Sequence, residues 1–135
     1  MKTRALDSWA ILEWISGRQP ASDRVGKLLA DAEDGHTRLL MSAINLGEVY
    51  YFLRKHHSET LGESWRESSR TLPATIGAPT IEDIWNAASL KGRFPTAYAD
   101  AFAAALAQKC NCPLVTGDPE LRLVDPLELD WIGGK

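Results

Sequence analysis

Four carboxylates spread along the chain, Asp7, Glu48, Asp100 and Asp118, each stand where a strand-like apolar run ends or a helix-patterned run begins. Side chains this far apart share chemistry only if the fold gathers them. An open parallel α/β sheet does so, because ligand chemistry collects in the crevice outside the carboxyl ends of its strands. Carboxylates brought together there repel one another unless a cation sits among them, and oxygen-only ligands select Mg²⁺ or Mn²⁺. The pattern is that of a catalytic metal site.

Each acid alone has a plain structural explanation. Asp7 can begin a turn, Asp100 can favour the positive end of its helix, Asp118 before Pro119 is a good N-cap, and Glu48 can be a solvated helix residue. The group shifts the balance. Asp100 lies among Ala97, Ala99, Ala101, Ala103 and Ala104, small side chains that let this helix approach the sheet and leave a carboxylate partly dry, which is costly without a compensating cation. Asn45 and Glu48 stand three apart on one helix face, so the amide can aim a neighbouring carboxylate. Ser8 beside Asp7 and Thr116 two before Asp118 place hydroxyls next to two acids, where they either hold a carboxylate oxygen or serve as ordinary turn residues.

The elements that must position these groups follow from periodicity. Thr3 to Leu6 reads as a first strand, although Arg4 is more polar than a buried parallel strand should be. Ser8 is expected to cap the helix from Trp9 to Ile15, which Gly17 and Pro20 end. Ser22 opens the next, where Val25, Leu28, Leu29 and Ala32 follow helical spacing up to Gly35. Leu39 to Met41 is a compact strand, and Ser42 caps a helix holding Asn45, Glu48, Val49, Phe52 and Leu53. The stretch from His56 to Arg70 is a weakly patterned helical excursion. Ala74 to Ala78 reads as a strand, and Thr80 caps a helix with Ile81, Ile84, Trp85 and Ala88 at helical spacing. Thr96 is expected to cap the Ala-rich helix from Ala97 to Lys109, with Asp100 in its opening turn. Pro113 to Thr116 is a buried strand, Gly117-Asp118-Pro119 a sharp turn into a brief helix, and Leu121 to Leu129 a last edge strand, since Pro126 fits only at an edge. Strands alternating with helices make this an α/β protein with a mainly parallel central sheet of four to five strands.

Composition narrows the class. A chain of 135 residues with 44% hydrophobic and 24% charged residues is expected to form a single globular domain over residues 1–135. No run approaches a membrane span, and the N-terminus lacks the apolar core of a secretion signal, so a cytosolic, membrane-free protein is expected. Cys110 and Cys112, one residue apart, suit reduced thiols better than a bridge or a zinc site. A formal charge of −3 argues against a nucleic-acid coat protein yet leaves room for a nucleic-acid enzyme, because bound metal would neutralise several acids.

Four segments in order carry a resemblance: Leu6-Asp7-Ser8, Ser42-Ala43-Ile44-Asn45-Leu46-Gly47-Glu48-Val49, Tyr98-Ala99-Asp100-Ala101-Phe102-Ala103-Ala104-Ala105-Leu106-Ala107, and Leu114-Val115-Thr116-Gly117-Asp118. Together they resemble the PIN-domain ribonucleases, most closely the VapC-type toxins of toxin–antitoxin pairs. The resemblance runs from about Thr3 to Leu129. It implies a three-layer α/β/α fold and an endoribonuclease whose Asp7, Glu48, Asp100 and Asp118 hold one or two Mg²⁺ or Mn²⁺ ions, with Ser8 and Thr116 in support. It also implies a cognate VapB-type antitoxin partner and a homodimer.

A phosphodiester resists water because it is anionic, and a divalent ion both offsets that charge and activates bound water. Asp7 and Asp100, from the sheet end and a helix start, are the expected principal ligands, Glu48 joins them or orients the attacking water, and the resemblance implies that Asp118 acts through water. Lys91 and Arg93 could grip substrate phosphates, as could Arg54 and Lys55, although a solvated helix end explains all four equally well. His56 and His57 read as surface, and the five tryptophans as core or interface anchors. Two rivals remain. A receiver-type Mg²⁺-binding signalling domain would need an acid pair after the first strand and a lysine after the last, neither of which is present. A PIN-like binding module without catalysis would keep the fold and leave the pocket idle.

Overall fold

A computed structural model describes residues 1–134. Its centre is a five-stranded sheet of β1 (Lys2–Leu6), β2 (Thr37–Ser42), β3 (Thr75–Gly77), β4 (Leu114–Thr116) and β5 (Leu129–Trp131). The strand order is β3-β2-β1-β4-β5, and every neighbouring pair is parallel. Around it lie α1 (Ser8–Ser16), α2 (Ala21–Glu33), α3 (Ala43–His56), α4 (Glu59–Ser68), α5 (Ile81–Arg93) and α6 (Tyr98–Lys109).

Both faces of the sheet are covered, as a parallel sheet requires, and the strand residues alternate between two cores. Ala5, Leu40 and Leu114 face the core shared with Ala87 and Leu90 of α5 and with Ala101 to Ala105 of α6. Their chain neighbours Leu6, Leu39, Met41 and Val115 face the opposite core, with Ile11 of α1, Val25 of α2, Val49 and Leu53 of α3 and Trp65 of α4. The result is a PIN-like three-layer α/β/α fold. Among the described residues no helix is long and apolar enough to cross a membrane.

The strand order decides where a site can form. From the central β1 the chain steps outward to β2 and β3, then returns past β1 to build β4 and β5 on the other side. The order reverses between β1 and β4, and the crevice at the carboxyl ends of those strands is where α/β sheets bind ligands. A receiver domain has the order 2-1-3-4-5, so this topology removes that rival.

Several local expectations change. Asp7, not Ser8, caps α1: its side chain accepts from the Ala10 N–H, and Ser8 is the first helical residue. Helix α2 starts at Ala21, with no side-chain cap. Thr96 does not cap α6 either, whose N-cap is Ala97 without a side-chain bond. The segment expected as one strand from Leu121 to Leu129 instead forms a 3₁₀ turn over Pro119–Leu123, and strand pairing begins only at Leu129, past Pro126. Arg4 proves compatible with its strand because Nε donates to Asp130 Oδ2 at 3.1 Å and Nη1 to Thr37 Oγ1 at 2.7 Å. Ser42 caps α3 and Thr80 caps α5 as their spacing predicts, Thr80 in a full capping box with Asp83. Both cysteines are free.

Candidate metal centre

The fold draws the four acids to the reversal point. Asp7 follows β1, Asp118 follows β4, Glu48 lies in the second turn of α3 and Asp100 in the first turn of α6. Asp7 is completely buried; its Oδ1 accepts the Ala10 N–H at 2.8 Å, and its Oδ2 is buried with no partner. Burial pushes the Asp7 carboxyl up to about 7; the Thr116 hydroxyl and the Ala10 N–H work against that rise, and the Asp118 and Glu48 charges add to it. Burial likewise raises Asp100, to about 8, with Asp7, Glu48 and Asp118 all contributing. The four carboxylates therefore act on one another. Glu48 Oε1 is also buried without a partner.

Supporting groups hold the frame rather than the acids. Asn45 is fully buried, and its amide donates to Ser8 Oγ and to the Ala99 carbonyl, both at 3.1 Å. The Ser8 hydroxyl donates back to the Asn45 carbonyl at 3.2 Å. These bonds lock α1, α3 and α6 together around the pocket, so Asn45 does not aim Glu48 directly as its spacing suggested. Thr116 Oγ1 accepts the Asp118 N–H at 3.1 Å, which fixes the turn after β4 beside Asp7. Asp118 Oδ1 accepts the Glu120 N–H at 3.0 Å, with Pro119 at the first turn position.

The basic residues stand apart. Lys91 and Arg93 are exposed near the end of α5, and Arg93 lies over the Phe94 ring at 5.3 Å. Arg54 pairs with Glu59 at 3.2 Å instead of facing the pocket. The charges that act most on Asp7 and Asp100 are all carboxylates. Two residues of the pocket rim were not anticipated. Glu120, exposed, brings a carboxylate oxygen within 4.8 Å of those of Asp100 and Asp118. Tyr51 is exposed, yet partial desolvation of its hydroxyl, followed by the Glu48 and Asp100 charges, raises its pKa. Tyr51 has a signal in the sequence, following Glu48 by nearly one helical turn, whereas Glu120, exposed beside Pro119, has none.

A divalent cation fits these residues. The pocket offers oxygen donors alone, two of them buried and unpartnered, in a field dominated by negative charge. Leaving such groups unpaired is costly, and a hard cation is the chemistry that satisfies all of them at once.

Fold and pocket together define a doubly covered parallel α/β domain with an acidic crevice at its reversal point. The chain belongs to the PIN domain family, whose sequence profile matches residues 5–126. No curated protein matches it by sequence. Solved structures share its fold. One is a chain of VapBC2 from Rickettsia felis bound to a promoter DNA fragment, at 15% identity over 96% of this chain and 98% of that one, with a TM-score of 0.71. Another is Mycobacterium tuberculosis VapC20, a Sarcin-Ricin loop cleaving toxin, at 14% identity over 88% and 92% of the two chains, with a TM-score of 0.66. VapBC-1 from nontypeable Haemophilus influenzae is similar at 19% identity over 96% and 97%, with a TM-score of 0.65.

Proposed function

We propose that this protein is a Mg²⁺- or Mn²⁺-dependent endoribonuclease that acts in the cytosol as the toxin of a VapBC-type toxin–antitoxin pair. The observation that carries the chemistry is the pair of buried, unpartnered carboxylate oxygens, Asp7 Oδ2 and Glu48 Oε1, in a pocket shared with Asp100 and Asp118. Family membership and the fold shared with VapC20 and the VapBC chains support the toxin reading.

In this reading Asp7 and Asp100 hold the ion most directly, Glu48 and Asp118 complete its surroundings, and Glu120 extends the cluster toward solvent. A bound divalent ion would supply positive charge for the phosphate and lower the pKa of an attacking water. Glu48 Oε1 has its lone pairs free to accept a hydrogen bond from that water and fix its approach. Ser8, Asn45 and Thr116 keep the acids in place, because the bonds they make join the helices and turns that carry them. Lys91 and Arg93, exposed just before α6, bind flanking phosphates of the RNA. Ile81 and Trp85 stand one turn apart on α5 and are 69% and 65% exposed, an apolar face suited to a second copy in a homodimer. A VapB-type antitoxin is the partner that keeps the enzyme silent.

The test is purified protein, freed of any antitoxin, incubated with RNA. Cutting is expected with Mg²⁺ or Mn²⁺ and not with EDTA. RNA left intact with metal present would overturn the nuclease reading.

A further inference from the structure

The turn that carries Asp118 is built more tightly than a turn between two short elements needs. Gly117 is buried, although its backbone has no left-handed conformation to demand glycine. Space demands it. A Cβ at Gly117 would overlap the Trp9 indole at Cη2, stand 2.5 Å from Trp9 Cζ3 and 2.7 Å from the Gly133 Cα. Gly133 faces the same constraint in return: a Cβ there would lie 2.9 Å from the Gly117 Cα and 3.1 Å from the Gly117 carbonyl oxygen. The indole rim and the backbone after β5 thus close on one residue from two sides. The Ile132 N–H fixes the second side by donating to the Thr116 carbonyl at 3.0 Å.

The residues involved flank the acids. Trp9 is two residues beyond Asp7, and Gly117 immediately precedes Asp118. Between them lies Thr116, whose hydroxyl accepts the Asp118 N–H and lowers the Asp7 pKa. We infer that Trp9, seated on Gly117 against Gly133, is a positioning residue that sets the place of Asp118 relative to Asp7 and thereby the cation affinity of the cluster. The inference rests on the metal-dependent reading above. An indole is well suited to the task, being rigid and broad, so that the turn cannot relax into it. Its half-buried position at the edge of the core makes its replacement survivable for the fold.

The experiment is Mn²⁺ titration by calorimetry at fixed pH on the parent chain, Gly117→Ala, Trp9→Leu, the Trp9→Leu/Gly117→Ala double variant, Asp118→Asn and Trp9→Leu/Asp118→Asn. Gly117→Ala should weaken Mn²⁺ binding about tenfold or more, and the double variant should regain only the part of that loss the indole causes, since the new methyl still meets the Gly133 Cα at 2.7 Å. Trp9→Leu alone should weaken binding several-fold, and the same substitution in the Asp118→Asn background should change nothing further. That non-additivity separates a role exercised through Asp118 from general loosening. Should Gly117→Ala not fold, the Trp9→Leu and Asp118→Asn cycle decides alone. A parent chain that binds no Mn²⁺ overturns both readings. A parent that binds Mn²⁺, with Trp9→Leu equally tight or with losses that simply add to Asp118→Asn, overturns this inference and leaves the metal site standing.

Discussion

A charge flanks each end of the buried stretch of β1, Arg4 within the strand and Asp7 just past its end, and the fold treats the two in opposite ways. Arg4 is part-buried, yet two protein partners meet it, Asp130 at 3.1 Å and Thr37 at 2.7 Å. Asp7, three residues on, is fully buried with one oxygen unpartnered and three further carboxylates around it. Arg4 shows that this chain can neutralise a part-buried charge with its own side chains. At the carboxyl edge it does not, and the negative charge left there is what a cation from solution would satisfy. The Arg4 charge is closed within the protein; the Asp7 cluster is left open.

The largest effect that can break this contrast is on turnover. Asp100→Asn should lower RNA cleavage by on the order of 10³-fold while circular dichroism stays unchanged, since the substitution removes charge and keeps shape. Cleavage near the parental rate would place the chemistry elsewhere.

Next in size is the response to metal. Binding to the folded state alone stabilises it, and at about a hundredfold excess over Kd this should raise the melting temperature by roughly 5–10 °C. The rise should be larger at pH 8 than at pH 6, because Asp7 and Asp100, pushed up to about 7 and about 8, hold protons that the cation must displace. An equal Mn²⁺ shift at both pH values would contradict the burial of those acids.

Without metal the sign reverses. Both carboxyls are raised above their unfolded values, so between the ordinary carboxylate range and about pH 8 the folded protein binds protons that the unfolded chain releases. Stability therefore falls as pH rises through that window. Urea titrations in EDTA at pH 5, 6.5 and 8 should give a declining midpoint, and Asp100→Asn should flatten the decline. A midpoint that climbs with pH would show the acids to be charged and satisfied already.

The smallest effect sharpens the other half of the comparison. Arg4→Met should cost about 1 kcal/mol, measured by chemical denaturation, because the pair with Asp130 is only partly buried and Thr37 keeps its bond to the Lys2 carbonyl. It should leave Mn²⁺ affinity untouched.

How far the sequence foretold this depended on the range of the interaction concerned. The acids were legible because each sits at a boundary that local periodicity marks, and the caps Ser42 and Thr80 were legible because a cap is satisfied within three residues. Arg4 looked misplaced because its partner lies 126 positions away, beyond any local pattern. Sequence alone does not separate Asp7 from Ser8 as the cap of α1, because both types cap well, and only the fold shows that the Ser8 hydroxyl is engaged by Asn45. The last strand is shorter than its pattern suggests because Leu121, Leu123 and Leu129 alternate plausibly, whereas the turn set by Asp118 and Pro119 winds the first two into 3₁₀ geometry. Glu120 went unnoticed because an exposed acid beside proline carries no pattern of its own; only its proximity to Asp100 and Asp118 gives it meaning.

Whether these carboxylates share a cation can be seen by anomalous diffraction from crystals grown with Mn²⁺. A manganese peak is expected within direct coordination distance of Asp7 and Asp100, with Glu48, Asp118 and Glu120 around it. A manganese-saturated crystal with no peak in that pocket, and the acids still gathered there, would contradict a shared cation.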